Sequence, residues 1–282
     1  MIPRRSFIAG VAGAAALPAM AKSSFRAEVG TNIYSLRYLA EKDLPGTLKL
    51  IRELGFREVE VGELYGHTAA GFLGLLKAAG LRATSFGAAY DALGKDLDAV
   101  AAQAHTLGTE YIVCSTIPHS AKHVTADDCR RAADALNRWG ERLAKAGLRL
   151  CYHTHGTEFD SSPDGTIFDT LVKLTNPKFV NFEMDIFWIV YGHQDPVKLL
   201  QRYPGRFPLM HVKDIRKGTV LGGSPADVQE DDSVPLGTGL VDVRAALLAA
   251  QAAGVKHFYL EEEAVDAVPQ IRQSLRYLAG LR

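Results

Sequence analysis

Short apolar stretches alternate with longer stretches of helical periodicity along most of the chain. Five times they are joined by a glycine between apolar or small residues, as in Leu54-Gly55-Phe56 and Ala253-Gly254-Val255. Glycine adopts the left-handed conformation that ends a helix at little cost, so each joint predicts a helix followed by a strand. Together with two proline-containing joints, the pattern predicts eight strands at residues 29–35, 58–61, 82–86, 111–114, 150–153, 179–185, 208–211 and 258–261.

The repeated order of strand and helix determines the expected fold class. Strands that follow one another through helices are parallel and joined by right-handed crossovers. Eight such units in about 250 residues fit an α/β protein of the (β/α)8 TIM barrel type. An open doubly wound sheet is the alternative, but no phosphate-binding glycine loop opens the first helix. We expect one barrel domain over residues 22–282, with the irregular stretch 216–242 as an active-site loop.

The first 21 residues do not follow this pattern. Arg4-Arg5-Ser6-Phe7-Ile8 precedes a short run of small and apolar residues that ends in Ala19-Met20-Ala21. A charged start, a short apolar centre and a small-x-small site are typical of a cleaved export signal. The paired arginines resemble a twin-arginine signal. We expect cleavage after Ala21 and a periplasmic or exported protein without stable membrane association; an uncleaved anchor or a chance basic start is the alternative.

The overall charge is balanced. Lys plus Arg number 32 and Asp plus Glu number 32 among 282 residues, which gives a formal charge of +0 with histidine neutral. Proteins that bind nucleic acid through its phosphates need an excess of basic charge, so we expect no nucleic-acid partner. Hydrophobic residues make up 47% of the chain, which is enough for a large core and argues against disorder.

Acids and histidines gather where the later predicted strands end. Strands five to eight end with the groups His153 and His155, Glu183 and Asp185, His211 and Lys213, and Glu261 to Glu263. In a TIM barrel these ends meet at one mouth, where the active site lies. Oxygen and nitrogen ligands without thiolates favour a divalent ion. The sequence therefore predicts one divalent metal, with Mn²⁺ expected and Mg²⁺, Co²⁺ or Zn²⁺ as alternatives.

These motifs resemble the sugar phosphate isomerase/epimerase family, which has a xylose isomerase-like TIM barrel. The resemblance is most specific in the run from Tyr152 to Phe159, in Asp185-x-x-Trp188 and in His211-Val212-Lys213-Asp214. It implies that Glu158, Asp185, His211 and Glu261 hold the metal, with His153 as an alternative ligand. The chain departs from its relatives at two places: many have a glutamate where this chain has His153, and they often have Ser-x-His where it has Ser85-Phe86-Gly87.

The resemblance also implies an activity. Family members isomerise or epimerise sugars through an enediolate, formed when a base removes a proton beside a carbonyl that the metal polarises. Glu158 and Glu261 would exchange protons with the substrate, and His155 and Lys213 would assist a second proton transfer or stabilise negative charge. Candidate substrate-binding residues are Tyr34, Glu60, Phe86, His153, Trp188 and Asp214. Export favours an unphosphorylated sugar or keto-sugar as substrate.

Three other functions remain open at this point. A lyase of the inosose dehydratase type, or one that cleaves 3-keto-glycosides, would use the same enediolate. A non-catalytic sugar-binding barrel would keep Trp188 but would not need four converging metal ligands. An endonuclease of the same superfamily that cuts at abasic sites would need more histidines and a basic groove. A homo-oligomer is compatible with the sequence.

Overall fold

The computed structural model describes residues 24–119, 122–163 and 165–282; the expected export signal lies outside them. Eight parallel strands form a closed barrel, in which each strand pairs with its neighbours in the chain and β8 closes on β1. The strands are β1 Val29–Asn32, β2 Glu58–Val61, β3 Arg82–Gly87, β4 Tyr111–Cys114, β5 Arg149–His153, β6 Val180–Asp185, β7 Leu209–Val212 and β8 His257–Leu260. The predicted TIM barrel is therefore confirmed.

One principal helix follows each strand. These are α1 Leu44–Glu53, α2 Ala69–Ala79, α3 Leu97–Leu107, α4 Ala126–Lys145, α5 Ile167–Leu174, α6 Pro196–Arg202, α7 Val243–Ala253 and α8 Ala267–Ala279. Short helices at Arg37–Ala40, Tyr90–Lys95 and Ile186–Tyr191 lie in the loops. Gly80 and Gly254 end α2 and α7 in the left-handed conformation, as predicted. In the described part of the chain, no helix is long and apolar enough to cross a membrane.

The first strand is shorter than the predicted 29–35. It ends at Asn32, whose side chain accepts a hydrogen bond from the backbone of Tyr34 and begins a 3-10 turn at Ile33–Leu36. The local side-chain hydrogen bond overrides the apolar pattern that suggested a longer strand. The turn brings Tyr34 and Arg37 to the mouth of the barrel.

The buried hydrophobic side chains form two clusters. The larger lies between the strands and the helices, and a smaller one inside the barrel contains Tyr111, Cys151 and Tyr259 among others. At the amino end of the strands, Glu58 binds Arg82 and His257. The polar groups at the carboxyl ends are thus separated from this pair by a packed layer, as in other TIM barrels.

The irregular stretch after β7 spans the mouth. Asp214–Ile215 pairs antiparallel with Ser233–Val234. Further along, Asp227 forms an ion pair with Lys122 in the loop after β4, at 2.8 Å. Glu230 accepts a hydrogen bond from Arg37 in the loop after β1, at 2.7 Å. The stretch therefore ties together loops from opposite sides of the barrel.

Candidate metal centre

Four buried side chains converge at the carboxyl ends of β5 to β8. Asp185 and His211 are register partners, and Oδ2 of Asp185 lies 3.8 Å from Nδ1 of His211. The same ring nitrogen lies 2.8 Å from Oε2 of Glu261. Nε2 of His153 lies 3.9 Å from the Asp185 oxygen. Asp185, His211 and Glu261 each bring one ligand atom within 4.8 Å of the others, so they could hold a metal ion.

Two further carboxylates orient the imidazoles. Oε2 of Glu183 lies 3.0 Å from Nδ1 of His153, and Oε1 of Glu60 lies 2.7 Å from Nε2 of His211. In each imidazole, one nitrogen therefore contacts an orienting carboxylate and the other nitrogen points toward Asp185. Metal-binding histidines commonly have this arrangement, because the carboxylate fixes the ring and makes the ligand nitrogen more basic.

The polar residue at the end of β1 connects the two sides of the cluster. The side-chain amide nitrogen of Asn32 donates hydrogen bonds to Oε1 of Glu60 and Oε2 of Glu261, both at 3.0 Å. Ser85 donates its hydroxyl to the other oxygen of Glu60 at 2.6 Å. These bonds fix the orientation of Glu60, which in turn fixes His211.

The cluster carries an excess of negative charge. Burial and the neighbouring Glu60 raise the pKa of Glu183 well above its usual range. Burial alone would lower the pKa of His211, but the surrounding carboxylates, Glu183 foremost, hold it well above its ordinary value. His153 differs, because burial and the charge of His211 lower its pKa. A neutral His153 is suited to metal binding, and a divalent cation would balance the carboxylates.

Some acceptor atoms of the cluster are unused. Oδ2 of Asp185 and Oε1 of Glu183 are buried, and neither has a hydrogen-bond partner among the described residues. The other oxygen of Asp185 accepts hydrogen bonds from the backbone of Phe187 and Trp188, at 2.8 and 3.2 Å. Buried acceptors usually have partners, so the free Asp185 oxygen fits a metal ligand.

A buried cation lies beside the cluster. The ammonium group of Lys213 contacts Glu263 and lies 3.5 Å from Oε1 of Glu261. It also lies 4.7 Å from the ring centre of Phe187 and 5.5 Å from that of Trp188. The two carboxylates outweigh the effect of burial and raise the pKa of Lys213 above its usual value. Lys213 is therefore a permanent positive charge rather than a base.

The cluster opens into a cavity of about 560 Å³. His155 lines it, with its ring centre 4.6 Å from that of His153 and 5.6 Å from that of Trp188. Burial and the adjacent His153 lower the pKa of His155 to about 4, so the imidazole is neutral at neutral pH. Tyr34 lines the cavity on another side, next to the Arg37 guanidinium. The arrangement combines a metal site, a neutral imidazole and room for a small organic molecule.

A family model described as "Xylose isomerase-like TIM barrel" matches residues 48–281. The chain belongs to this family. The expected xylose isomerase-like barrel family is therefore confirmed, and the match includes β2 to β8 with His153, Asp185, His211 and Glu261.

The individual proteins that resemble the chain share less than a third of their residues with it in the matched regions. The inosose dehydratase of Lacticaseibacillus casei is 29% identical over 126 residues, which cover 40% of this chain and 41% of the relative. A sugar phosphate isomerase/epimerase structure from Parabacteroides distasonis is 24% identical, with a TM-score of 0.71 over 92% of this chain and 97% of that chain. The IolI protein with a bound zinc atom is 14% identical, with a TM-score of 0.69 over 90% of this chain and 98% of that chain. The matched stretch spans less than half the length of the curated relative, and the two structures show a common fold.

Most of the residues singled out in the sequence lie at this site. Asp185, His211, Glu261 and the alternative ligand His153 come together, and Tyr34, Glu60, His155 and Trp188 line the cavity. Lys213 lies next to the cluster, with its ammonium group 3.5 Å from Oε1 of Glu261.

Glu158 lies elsewhere. Its Oε1 accepts a hydrogen bond from the hydroxyl of Tyr152 at 2.5 Å, and its Oε2 accepts one from the backbone of His155 at 3.1 Å. It belongs to neither group of side chains that could hold a metal ion. Metal binding by Glu158 does not fit this placement, because the 3-10 turn at Thr157–Phe159 directs it toward Tyr152.

Asp214 and Phe86 also do not line the cavity. Both oxygens of Asp214 accept backbone hydrogen bonds: Ile215 and Val241 donate to Oδ1, and Gly237 and Gly239 donate to Oδ2. Asp214 is thus a loop anchor rather than a sugar ligand. Phe86 is 5% exposed and packs in the core.

From the sequence, Glu183 and Glu263 were placed among the acids at the strand ends without an individual role, and Asn32 was not recognised as a site residue. Glu183 lies two positions before Asp185 on the same strand, so the alternation of side chains places both on one face. Glu263 lines the cavity and pairs with Lys213. The role of Asn32 could not be predicted from the sequence, because its hydrogen-bond partners Glu60 and Glu261 lie on other strands that are distant along the chain.

Proposed function

We propose that this protein is a divalent-metal-dependent enzyme that removes a proton beside the carbonyl of an unphosphorylated sugar or keto-sugar. The single observation that carries the proposal is the convergence of Asp185, His211 and Glu261 at the floor of the cavity. The family and the sugar-processing relatives support it. The expected export signal, which also remains a proposal, favours a substrate without phosphate.

In this proposal Asp185, His211 and Glu261 hold the metal and His153 supplies a fourth ligand. Glu60 and Glu183 then serve as hydrogen-bond partners of the two imidazoles. A second set, His153, Glu183 and His211, also has suitably spaced atoms. We favour the first set because it leaves Glu183 and Glu60 to orient the two imidazoles, whereas the second set would use Glu183 as a ligand.

A divalent cation at this position would polarise the substrate carbonyl and acidify the adjacent C–H group. The protein supplies the remaining functions. His155 is neutral and lines the cavity, so it can accept or donate a proton. Lys213 and its charge stabilise negative charge beside Glu261. Trp188 offers an apolar face for the sugar ring, and Tyr34 a hydroxyl for its substituents.

Two outcomes are compatible with this first step. Return of the proton to carbon gives an isomerase or epimerase, as the resemblance implies. In a lyase or dehydratase, the electron pair left on carbon instead forms a C=C bond while the C–O bond of the next carbon breaks, and the substituent leaves with a proton as water or an alcohol. We favour elimination for two reasons: the curated relatives are inosose dehydratases, and Glu158, the expected proton-transfer partner of Glu261, does not line the cavity. An epimerase in which Glu158 and Glu261 exchange protons with the substrate would need both carboxylates at the cavity.

The test uses metal-loaded protein in deuterated buffer with a panel of free sugars, keto-sugars and inososes. NMR detects both deuterium at carbon and the loss of a substituent. Deuterium uptake without loss identifies an isomerase or epimerase, whereas an unsaturated product identifies a lyase. Asp185→Asn and Glu261→Gln should each abolish metal binding and turnover while circular dichroism shows a folded protein. Full activity in either variant would contradict the proposal, and sugar binding without turnover would instead indicate a non-catalytic barrel.

A further inference from the structure

The cavity extends well beyond the metal cluster. The cluster and Trp188 form one side, and the ends of β2 to β4 form the other. This second side carries small residues, among them Gly62, Gly87, Ala88 and Ala89. A Cβ atom at Gly87 would lie 3.1 Å from the carbonyl oxygen of Gly62, so a larger residue would press against the end of β2. Glycine at position 87 thus permits the close approach of β3 to the end of β2, and the small residues along this side leave the cavity open there.

The open side is larger than a single sugar ring requires. Cavities of about 300–1,000 Å³ enclose drug-sized molecules, and the volume here is about 560 Å³. A hexose has roughly a dozen non-hydrogen atoms, about half as many as such a molecule. A ring that occupies the metal side beside Trp188 therefore leaves space toward Ala88 and Ala89.

An aromatic residue with an unfavourable backbone conformation borders this space. Tyr65 has φ +47°, in the left-handed region that residues with a Cβ rarely adopt. Its half-buried ring lines the cavity together with Tyr34. Such strain persists only where the surrounding structure enforces it, and it concentrates at ligand sites. Glu41 and Glu63, which also line the cavity, provide carboxylates on the same side.

We propose that Tyr65 and Tyr34 form one wall of a second subsite and that the substrate is a sugar joined to another sugar ring, not a free monosaccharide. The inference rests on the proposed function, because the first ring is the one held at the metal cluster. The apolar face of the second ring packs on the tyrosine rings, and its hydroxyl groups donate to Glu41 and Glu63. Tyr65 is then a specificity-determining residue rather than a catalytic one.

The test compares binding of D-glucose and D-galactose with binding of cellobiose, maltose, lactose and phenyl β-glucoside, by calorimetry on metal-loaded protein. We expect at least one disaccharide to bind about tenfold or more tightly than its monosaccharide. Tyr65→Gly should remove this preference and leave monosaccharide affinity within about twofold. Glycine tolerates the local φ, so the variant should be no less thermally stable than the parent. Tyr65→Phe should keep the preference.

Ala89→Trp provides an independent variant, because it fills the same space from the neighbouring loop after β3. It should weaken disaccharide binding and spare monosaccharide binding. Equal affinities in the parent, or an equal loss for both ligands in Tyr65→Gly, would overturn the inference. Tighter binding of phenyl β-glucoside than of every disaccharide would also overturn it, in favour of an aromatic substituent.

The two proposals fail separately. A disaccharide preference that persists in the Asp185→Asn variant, without metal-dependent deuterium exchange in the parent, keeps the second subsite and refutes the proposed reaction. Metal-dependent exchange with monosaccharides alone keeps the reaction and refutes the second subsite.

Discussion

The Nε2 atom of His211 lies 2.7 Å from Oε1 of Glu60, which is three strands away around the barrel. The carboxylate therefore fixes the imidazole from across the barrel interior. Replacing Glu60 by Gln removes the charge and should weaken metal binding about 10–100-fold. Titration with a competing chelator measures the change.

Glu58→Gln is the matched control for this prediction. Glu58 is on the same strand and also binds a histidine, but its partner His257 is at the amino end of the barrel. This variant should lose stability without losing metal affinity. An equal loss of metal affinity in both variants would show that the effect is a general loosening of the barrel.

The two histidines of β5 and its loop should differ in their roles. His153→Ala removes a proposed ligand, so elemental analysis should show a loss of bound metal. His155→Ala removes a cavity imidazole that belongs to neither group of side chains able to hold a metal ion, so metal content should persist while kcat falls about a hundredfold to ten-thousandfold. Retained metal in His153→Ala would place that residue outside the ligand set.

Asp214 should be important for stability. Its buried carboxylate accepts four backbone hydrogen bonds, three of them from the loop at residues 237–241. Asp214→Asn replaces one acceptor oxygen by a donor and should lower the free energy of unfolding by roughly 2–4 kcal/mol. Urea denaturation measures the loss, and hydrogen exchange should show faster exchange at Gly237 and Gly239. Asp242→Asn, at the exposed start of α7, should cost only about 1 kcal/mol or less.

Asp169 should make stability depend on acid pH. Burial raises its pKa, but the Tyr203 hydroxyl and the Thr166 amide bind the carboxylate and hold the pKa below its usual value. A lowered pKa stabilises the fold above the unfolded value of about 3.9, and this contribution disappears as the pH falls through the folded value. The stability difference between the parent and Asp169→Asn should therefore be largest above about pH 5 and shrink toward about pH 3.

Urea denaturation at several pH values tests this prediction. Asp98→Asn is the control, because Asp98 pairs with Arg142 on the surface with 85% of its side chain exposed, and such pairs contribute little. A difference for Asp169→Asn that stays constant across the pH range would rule out the carboxylate charge as its source.

The barrel could be predicted from the sequence because the signals for its helices and strands lie within short segments of the chain. A helix-ending glycine such as Gly80 and an apolar strand such as β4 need no distant partner to be recognised. Strand ends then located Asp185, His211 and Glu261, because all strands of a TIM barrel end at one mouth. Asn32 ends β1 because its side chain accepts a hydrogen bond from the backbone of Tyr34, which turns the chain away from the strand. The pattern of apolar residues does not reveal this bond.

The direction of individual loop side chains could not be predicted. Glu158 and Asp214 are acids beside strand ends, just as Glu261 is, yet one binds Tyr152 and the other binds a loop. Only the three-dimensional path of each loop determines whether its carboxylate faces the cavity. Tyr65 was missed for a related reason, since its left-handed conformation has no sequence signal beyond the following Gly66.

The two halves of the cavity lining come from different strands, and this bears on how proteins with this barrel diverge. Its reactive groups come from β5 to β8, whereas the small residues of the open side come from β2 to β4. Substitutions at Ala88 or Ala89 can therefore change which molecules enter without disturbing the acids and imidazoles to which the proposed reaction is assigned. A lineage with this barrel can acquire new substrates by exchanging a few residues on one half of the rim while the other half keeps its chemistry.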